Sequence, residues 1–593
     1  RINGLDGPYT QILLDSRPIF SALSGVYGIE QIPASMIEHV EVMRGGGSAL
    51  FGSSAIAGTI NIITKEPMRN SGMLSHTITG IGDGDVFDNS TALNASLVTD
   101  DQRAGLYIFG QNRHRSAYDH DGDGYSEIPK LHGQTIGFRS FLKTTTYSKL
   151  TFEYHHMEEF RRGGDLLNRP PHEANVAEQT EHSINGGGLK FDYFSPNENH
   201  RFNVFASAQH INRDSYYGPG DRDPLDAYGN TTDLNWMAGS QYVYSFGKCI
   251  FMPSDLTAGI EFNQDKLEDN MWGYNRTVDQ KVNIGSAFLQ NEWKNDHWGF
   301  LIGGRLDKHN LIDHVIFSPR ANLRYNPTEN INLRFSYSSG FRAPQAFDED
   351  LHVENVGGNV AMVELADNLK EERSQSLSAS ADIYHRFGAF QVNFLVEGFY
   401  TKLSDVFALT DGEVVDGILT RTRHNASGAQ VLGLTLEGKM AYLNKIQVQA
   451  GVTLQQSHYS KPHIWNKEAP AVKKMMRTPN TYGYFTATYT PIKPLSIALS
   501  GTYTGSMLVP HEPVPGFLEN PITVNTKDFF DIGLKAAYDF KLYKSMNLQL
   551  NAGIQNIFNA YQDDFDKGAD RDSGYIYGPS LPRSFFAGVK ISY

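Results

Sequence analysis

The segment Asp119 to Glu127 (DHDGDGYSE) sets carboxylates at alternate positions, Asp119, Asp121 and Asp123, with Gly124 letting the chain turn and Glu127 closing behind them. Hard oxygens at that spacing can gather around one calcium ion, which accepts many oxygen ligands in a flexible geometry. The run is shorter than a full EF-hand loop, and an Asp/Gly string is also the composition of a solvated turn. Arg161 and Arg162 open a stretch that mixes charge with turn formers and could contact an anion, or could simply be solvated. Tyr216, Tyr217 and Tyr561 offer amphipathic rings on which a flat or aromatic ligand could stack. No Ser/His/Asp arrangement or HExxH motif stands beside them, so the expectation is binding without covalent catalysis. The lone cysteine, Cys249, excludes an internal disulfide and any cysteine-ligated cluster.

The elements that position these groups are legible in the hydropathy pattern. The chain has 593 residues, 40% hydrophobic and 12% aromatic, with 30 Tyr and 35 Phe, yet it is polar on average. Alternation of apolar and polar side chains reconciles those figures. No apolar run reaches the length of about eighteen residues that a helical span needs, which leaves membrane strands of about nine to eleven residues open. A net charge of -14 without a basic stripe argues against a nucleic-acid partner. Arg1 opens with neither a charged nor an apolar leader region, so a mature or trimmed chain is expected.

From about residue 72 onward the sequence repeats one pattern, a period-two segment followed by a connection. Residues 150–155 (LTFEYH), 332–338 (NLRFSYS) and 547–553 (NLQLNAG) are examples. Twenty-two strands are predicted, beginning near residues 72, 89, 103, 131, 148, 182, 200, 234, 255, 282, 298, 316, 331, 373, 389, 425, 445, 480, 495, 528, 546 and 583. Connections after even-numbered strands are short, such as 100–102 and 145–147. Those after odd-numbered strands are mostly long: 113–130, 158–181, 212–233, 265–281, 340–372, 401–424, 459–479, 507–527 and 558–582. That alternation belongs to an up-and-down barrel with one plain and one elaborated end. An open sheet would leave two rows of unpaired backbone groups in hydrocarbon, so the sheet must close. Side chains cannot fill so wide a lumen, and a separate plug is expected elsewhere in the chain.

Residues 1–67 differ: short apolar strands alternate with glycine turns. Between Ile37 and Lys65 run IEHVEVMRG, then GGSALFG, then AGTINIITK. This closely resembles the end of the plug of TonB-dependent outer-membrane receptors, of the cobalamin, ferric-siderophore and haem type, in which Glu38, Glu41, Arg44, Gly45, Gly52, Gly58 and Asn61 fall on motif positions. The ending agrees: QNIFN at 555–559 is similar to a penultimate-strand motif of the family, and Arg583 to Tyr593 ends on an aromatic residue. The resemblance implies a plug at 1–67 (the C-terminal part of a longer domain) and a barrel at 68–593, an all-β membrane protein with a small mixed α/β plug. The energy-coupling TonB box would lie ahead of Arg1.

The resemblance further implies an outer membrane of a Gram-negative bacterium, long loops outside and both termini periplasmic. It implies uptake of a chelate carrying cobalt or iron, TonB–ExbB–ExbD as the energy source, contact with outer-membrane lipid, and a surface lipoprotein as a further partner. No cofactor is required, with calcium on an outer loop as an addition. In Phe341-Arg342-Ala343-Pro344 and Asn368-Leu369 the sequence resembles two boxes of iron-chelate and haem receptors, and His352 stands between them where a histidine can ligate haem iron. The second box lacks its usual proline; the boxes can equally be structural and His352 a polar loop residue, while His39 is the candidate second ligand. Arg342 and Phe347 fall on the same loop as ligand candidates. Arg44 and Glu41 can pair with charges on the barrel wall, or Glu41 can be a satisfied structural charge. A passive porin leaves residues 1–67 unexplained; a surface receptor or adhesin does too.

Overall fold

The computed structural model describes residues 2–5, 7–18, 32–45, 52–53, 55–219, 228–356 and 359–593. Among these, twenty-two long antiparallel strands form one closed barrel, sealed where Ser584–Ser592 pairs with Ser71–Ile81. A three-residue strand, Val472–Lys474, adds to its rim. The alternation of side chains explains the closure. In the strand Ser148–Gly164, Phe152 and Tyr154 face outward and exposed while Thr151 is buried inside. The same outward apolar series continues through Ile136, Leu189, Ile260, Ile302 and Leu432. An exposed apolar belt over a fully paired backbone is stable only against hydrocarbon. Near the short turns the belt ends in stacked aromatics, Trp298 on Tyr325 at 4.2 Å and Phe251 on Trp293 at 5.6 Å, as rings do at a bilayer interface.

Every expected strand is present. The largest displacements are six residues, at Val176, Tyr228 and Arg276 against expected starts of 182, 234 and 282. They share a cause. The seven strands from Ser126–Thr145 to Arg276–Lys294 are 17 to 22 residues long, well beyond the bilayer requirement of about ten. They stand above the membrane as a tall wall, so much of the expected loops 113–130, 158–181, 212–233 and 265–281 is strand. Above the lipid the outward face need not be apolar, and the period-two signal fades although the hydrogen-bond ladder continues.

Elsewhere the long loops are loops, and they fold on themselves. Glu354–Val356 and Asn359–Leu365 join Phe407–Val415 and Ile418–Asn425 in a four-stranded sheet, and Leu508–His511 pairs with Ile522–Asn525.

The N-terminal region forms a four-stranded mixed sheet of β1 (Thr10–Leu14), β2 (Arg17–Pro18), β3 (Ile37–Arg44) and β4 (Gly58–Thr64), in the order β2-β1-β4-β3. β1 and β4 run parallel, β3 and β4 antiparallel. Helical content here, among the described residues, is two 3-10 turns. Gly58 is dictated by packing: a Cβ there would stand 2.3 Å from the Met43 carbonyl oxygen. The turn glycines Gly45 and Gly52 both sit at φ +80°, where side chains are disfavoured.

The sheet lies inside the barrel and is tied to its wall. Met36 packs on Tyr107 and Phe109, and Tyr107 donates to the Ser35 carbonyl at 2.8 Å. Asp15, held by the Thr64 hydroxyl at 2.6 Å, pairs with Arg139; Arg17 pairs with Glu153, and Lys149 with Glu66 at 2.8 Å. On another flank Arg44 reaches Glu397 at 3.2 Å and also Glu437. Glu41 instead accepts a hydrogen bond from Asn61 at 2.8 Å, within the plug. Glu38, on the same strand, is exposed.

Candidate functional site

At the long-loop end three parts of the chain converge on one cavity of about 280 Å³, close to the lower end of the range for small-molecule pockets. The tall wall contributes Tyr125, Glu127, Glu178 and Tyr217; the loop after Arg342 contributes His352 and Val353; the loop after Gln555 contributes Phe565, Asp566, Arg571, Asp572 and Tyr575.

Each contributor is fixed by identifiable packing. The four-residue helix α1 (Asp348–Leu351) is moored by Leu351, which enters a cluster with Met157, Ile184, Ile211 and Leu267 of the tall wall. Arg276 donates to the Leu351 and Asp350 carbonyls. Val353 joins Tyr216, Tyr217, Tyr274 and Met362 in a second cluster. The remaining loop is held by Tyr575 and Tyr577 against Met507, Val509 and Phe529. His352 therefore stands where wall and loop meet, its ring 5.0 Å from that of Tyr217 and its Nδ1 4.0 Å from Glu178 Oε1.

Arg571 bridges sequence-distant parts of the rim. Its Nη2 lies 2.6 Å from Asp123 and its Nη1 3.0 Å from Glu127, and its Nε donates to the Gly568 carbonyl at 2.9 Å. Partial burial pushes the Asp123 carboxyl up, but backbone N–H donors of Gly568 and Tyr125 together with Arg571 outweigh it and hold it below the usual range. A second network ties the neighbouring loops. Arg421 pairs with Asp411 at 3.1 Å and Glu512 at 2.9 Å, Asn466 donates to Glu512 at 2.9 Å, and the Glu512 N–H donates to Asp572 at 3.0 Å. His511 lies 3.0 Å from Asp566 and stacks on Tyr575 at 3.8 Å. Burial pushes the Glu512 carboxyl up to about 7; Arg421 opposes this, and the carboxylates of Asp411 and Asp572 reinforce it.

The sequence-derived candidates divide accordingly. His352 and Tyr217 share the cavity. Tyr216 is fully buried beneath it, its ring 4.9 Å from Tyr228. Arg161 and Arg162 are also buried: the first pairs with Glu159 at 2.6 Å, the second donates to the backbone carbonyls of Gly163 and Asp165. Arg342 is buried beneath the rim, 3.9 Å from Glu372 and stacked on Phe347 at 4.3 Å, and Tyr9 of the plug donates to the same Glu372 at 2.9 Å. Arg342 thus joins rim to plug, and Arg161, Arg162 and Tyr216 build the wall. Tyr561 lies outside the cavity lining, its ring 4.9 Å from His120. His39 lies 3.5 Å from Glu41 in the plug, not beside His352.

The four acidic residues also separate. Asp119, Asp121 and Glu127 bring one oxygen each within 4.8 Å of the others, whereas Asp123 is turned to Arg571. Sequence reasoning missed Glu178, because it sits in a strand extension without apolar alternation, and, in the 558–582 loop from which it nominated Tyr561 alone, it missed Arg571 and its acidic neighbours, whose Asp- and Tyr-rich composition was the available signal.

A plugged, closed barrel of twenty-two strands with a mouth built of folded loops defines a class of outer-membrane receptor. Family models agree: "TonB dependent receptor-like, beta-barrel" matches residues 72–557 and "TonB-dependent Receptor Plug Domain" matches residues 1–59. The chain belongs to the TonB-dependent receptors, outer-membrane proteins of Gram-negative bacteria. Among curated relatives, the iron-regulated outer membrane virulence protein of Vibrio cholerae is 26% identical over 383 residues, 60% of this chain and 54% of that protein. The vitamin B12 transporter BtuB of Vibrio vulnificus is 22% identical, over 58% of this chain and 54% of that one. The matched region thus spans about half the length of these relatives. The siderophore receptor PirA of Acinetobacter baumannii superposes with a TM-score of 0.79 at 17% identity, covering 100% of this chain and 92% of that one. A variant of the ferric enterobactin receptor PfeA of Pseudomonas aeruginosa, solved with enterobactin, gives 0.78 at 17% identity over 100% and 93%. At such identities the structures speak for the fold alone.

Proposed function

We propose that this chain is a gated importer that carries a scarce metal chelate, of the cobalamin, ferric-siderophore or haem class, across the outer membrane without altering it covalently. In this reading the long loops face the medium, both termini are periplasmic, and the TonB–ExbB–ExbD complex supplies the work that displaces the plug. Ligand bound at the mouth favours the plug state that couples to TonB, since binding shifts an equilibrium only through differential affinity. A surface lipoprotein covering the mouth is a compatible partner. Calcium belongs to the reading as an ion ordering the loop at Asp119, Asp121 and Glu127; to bind there it must draw Glu127 from Arg571.

The supporting observation is the seating of the plug: inside the lumen, ion-paired to the wall through Arg44, Arg17 and Asp15 on some flanks and packed on another through Ile2, Leu5, Tyr9 and Ile56 against Phe399, Leu403 and Val431. The ion pairs hold a gate yet exchange readily for water when it moves. Single-channel recording in planar bilayers tests this. A nearly closed barrel that opens when Arg44→Ala removes the Glu397 and Glu437 contacts supports a gate; constant high conductance of the unaltered protein refutes it and leaves a porin.

A further inference from the structure

The mouth cavity carries an electrostatic signature that narrows the ligand class, and the argument rests on the importer reading above. Carboxylates dominate its wall: Glu127, Glu178, Asp566 and Asp572 line it, and among the described residues Arg571 is its one guanidinium. That guanidinium is engaged on every nitrogen, by Asp123, Glu127 and the Gly568 carbonyl. Three arginines around the mouth are paired with carboxylates in the same way, Arg421 with Asp411 and Glu512, Arg423 with Asp350, Arg342 with Glu372, while Arg162 and Arg477 donate to backbone carbonyls. Lys461, Lys467 and Lys473 are exposed on a neighbouring loop and Lys567 on the cavity's own loop, 3.5 Å from Asp121, but none lines the cavity.

A polyanionic ferric complex needs cations whose charge is not already spent on carboxylates, and a cleft lined by negative charge repels it from a distance as well as on contact. The same wall suits the opposite chemistry. Phe565 presents a ring beside the carboxylates, with the buried rings of Tyr217 and Tyr575 in the same lining, and an aromatic face next to an acid receives an ammonium or amide N–H. We propose that the mouth selects chelates of zero or positive net charge that present N–H donors, and rejects polyanionic ones.

In chemical terms the favoured cargo is a neutral ferric tris-hydroxamate or a neutral or cationic cobalt corrinoid, and the disfavoured cargo a ferric tris-catecholate, which is a trianion. Glu178, at the mouth edge beside His352, then sets charge preference, and because its side chain is 46% exposed a lysine in its place weakens the discrimination while the backbone pairing of its strand is kept.

The test uses the full chain purified in detergent and three probes: a ferric tris-catecholate, a neutral ferric tris-hydroxamate and aquocobalamin, a cation. Titration calorimetry is expected to rank the neutral or cationic probe about tenfold or more above the trianion. Low salt is expected to widen that gap, and Glu178→Lys to narrow it. Equal or tighter binding of the trianion overturns the proposal, as does a ranking unmoved by both salt and Glu178→Lys. Should none of the probes bind while the bilayer conductance stays shut, the ligand class is wrong and the gate stands; an open pore instead removes the gate itself.

Discussion

Two parts of the same rim are built on different principles. From Ser126 to Lys294 the mouth is a continuation of the barrel: each strand extends the ladder below it, as in the register that runs unbroken from Val176↔Pro219 to Phe194↔Arg201. From Ala343 to Arg583 it is an assembly of loops whose small sheets are held to one another by side chains, chiefly Arg571 with Asp123 and Glu127, and Arg421 with Asp411 and Glu512. Ladder hydrogen bonds are many, cooperative and indifferent to pH. Buried ion pairs are few, and removing one partner leaves the other uncompensated. The wall is thus held by its backbone ladder, and the opposite rim by side-chain pairs that can be broken singly. His352 and the cavity lie at the seam between them.

The largest expected effect comes from cutting the seam. Arg571→Ala strands Glu127, whose side chain is 2% exposed, and should destabilise the closed rim by about 3 kcal/mol. Hydrogen exchange in the 556–583 loop should accelerate while the amides of Val176–Phe194 stay protected. If the wall strands lose protection equally, the division into ladder-held wall and pair-held rim is wrong.

A smaller effect follows pH. The Glu512 carboxyl is raised to about 7, so the folded rim holds its proton more tightly than an opened loop with an ordinary carboxylate does. Its contribution is full at acid pH below the ordinary carboxylate range and is lost as pH rises through about 7. Exchange protection of Leu508–His511 and Ile418–Asn425 should therefore increase from about pH 8 to about pH 6 after correction for intrinsic rates, and Glu512→Gln should flatten the trend. A trend of opposite sign would place the controlling proton elsewhere.

The smallest effect sharpens the contrast from the other side. Lys266 lies 2.5 Å from Glu268 on the wall, but both side chains are about half exposed. Lys266→Ala should leave wall protection and thermal denaturation unchanged, since exposed pairs contribute little. A measurable loss would mean that the wall, too, depends on its side-chain pairs.

Legibility in the sequence followed the solvent. In the hydrocarbon zone, where a strand must be apolar on one face, starts such as Ser148, His200, Trp298 and Ile331 coincide with the expected positions. Above it, Val176 to Glu181 (VAEQTE) and Arg276 to Lys281 (RTVDQK) carry no alternation to read, and the strand there is set by the ladder alone. The site followed the same division. His352 and Tyr217 could be nominated from residue type and position; that Arg342 turns inward to Glu372, and that Arg571 crosses to Glu127, are consequences of loop docking.

By itself the sequence determined the closed barrel, its strand number, its plain and elaborated ends and the glycine-patterned plug, because each is imposed locally by the bilayer or by backbone sterics acting on neighbouring residues. Only the tertiary structure decided which charges meet. Electrostatic partners 353 residues apart, as Arg44 and Glu397 are, leave no periodic trace in a chain, and their pairing exists only once the barrel has closed around the plug.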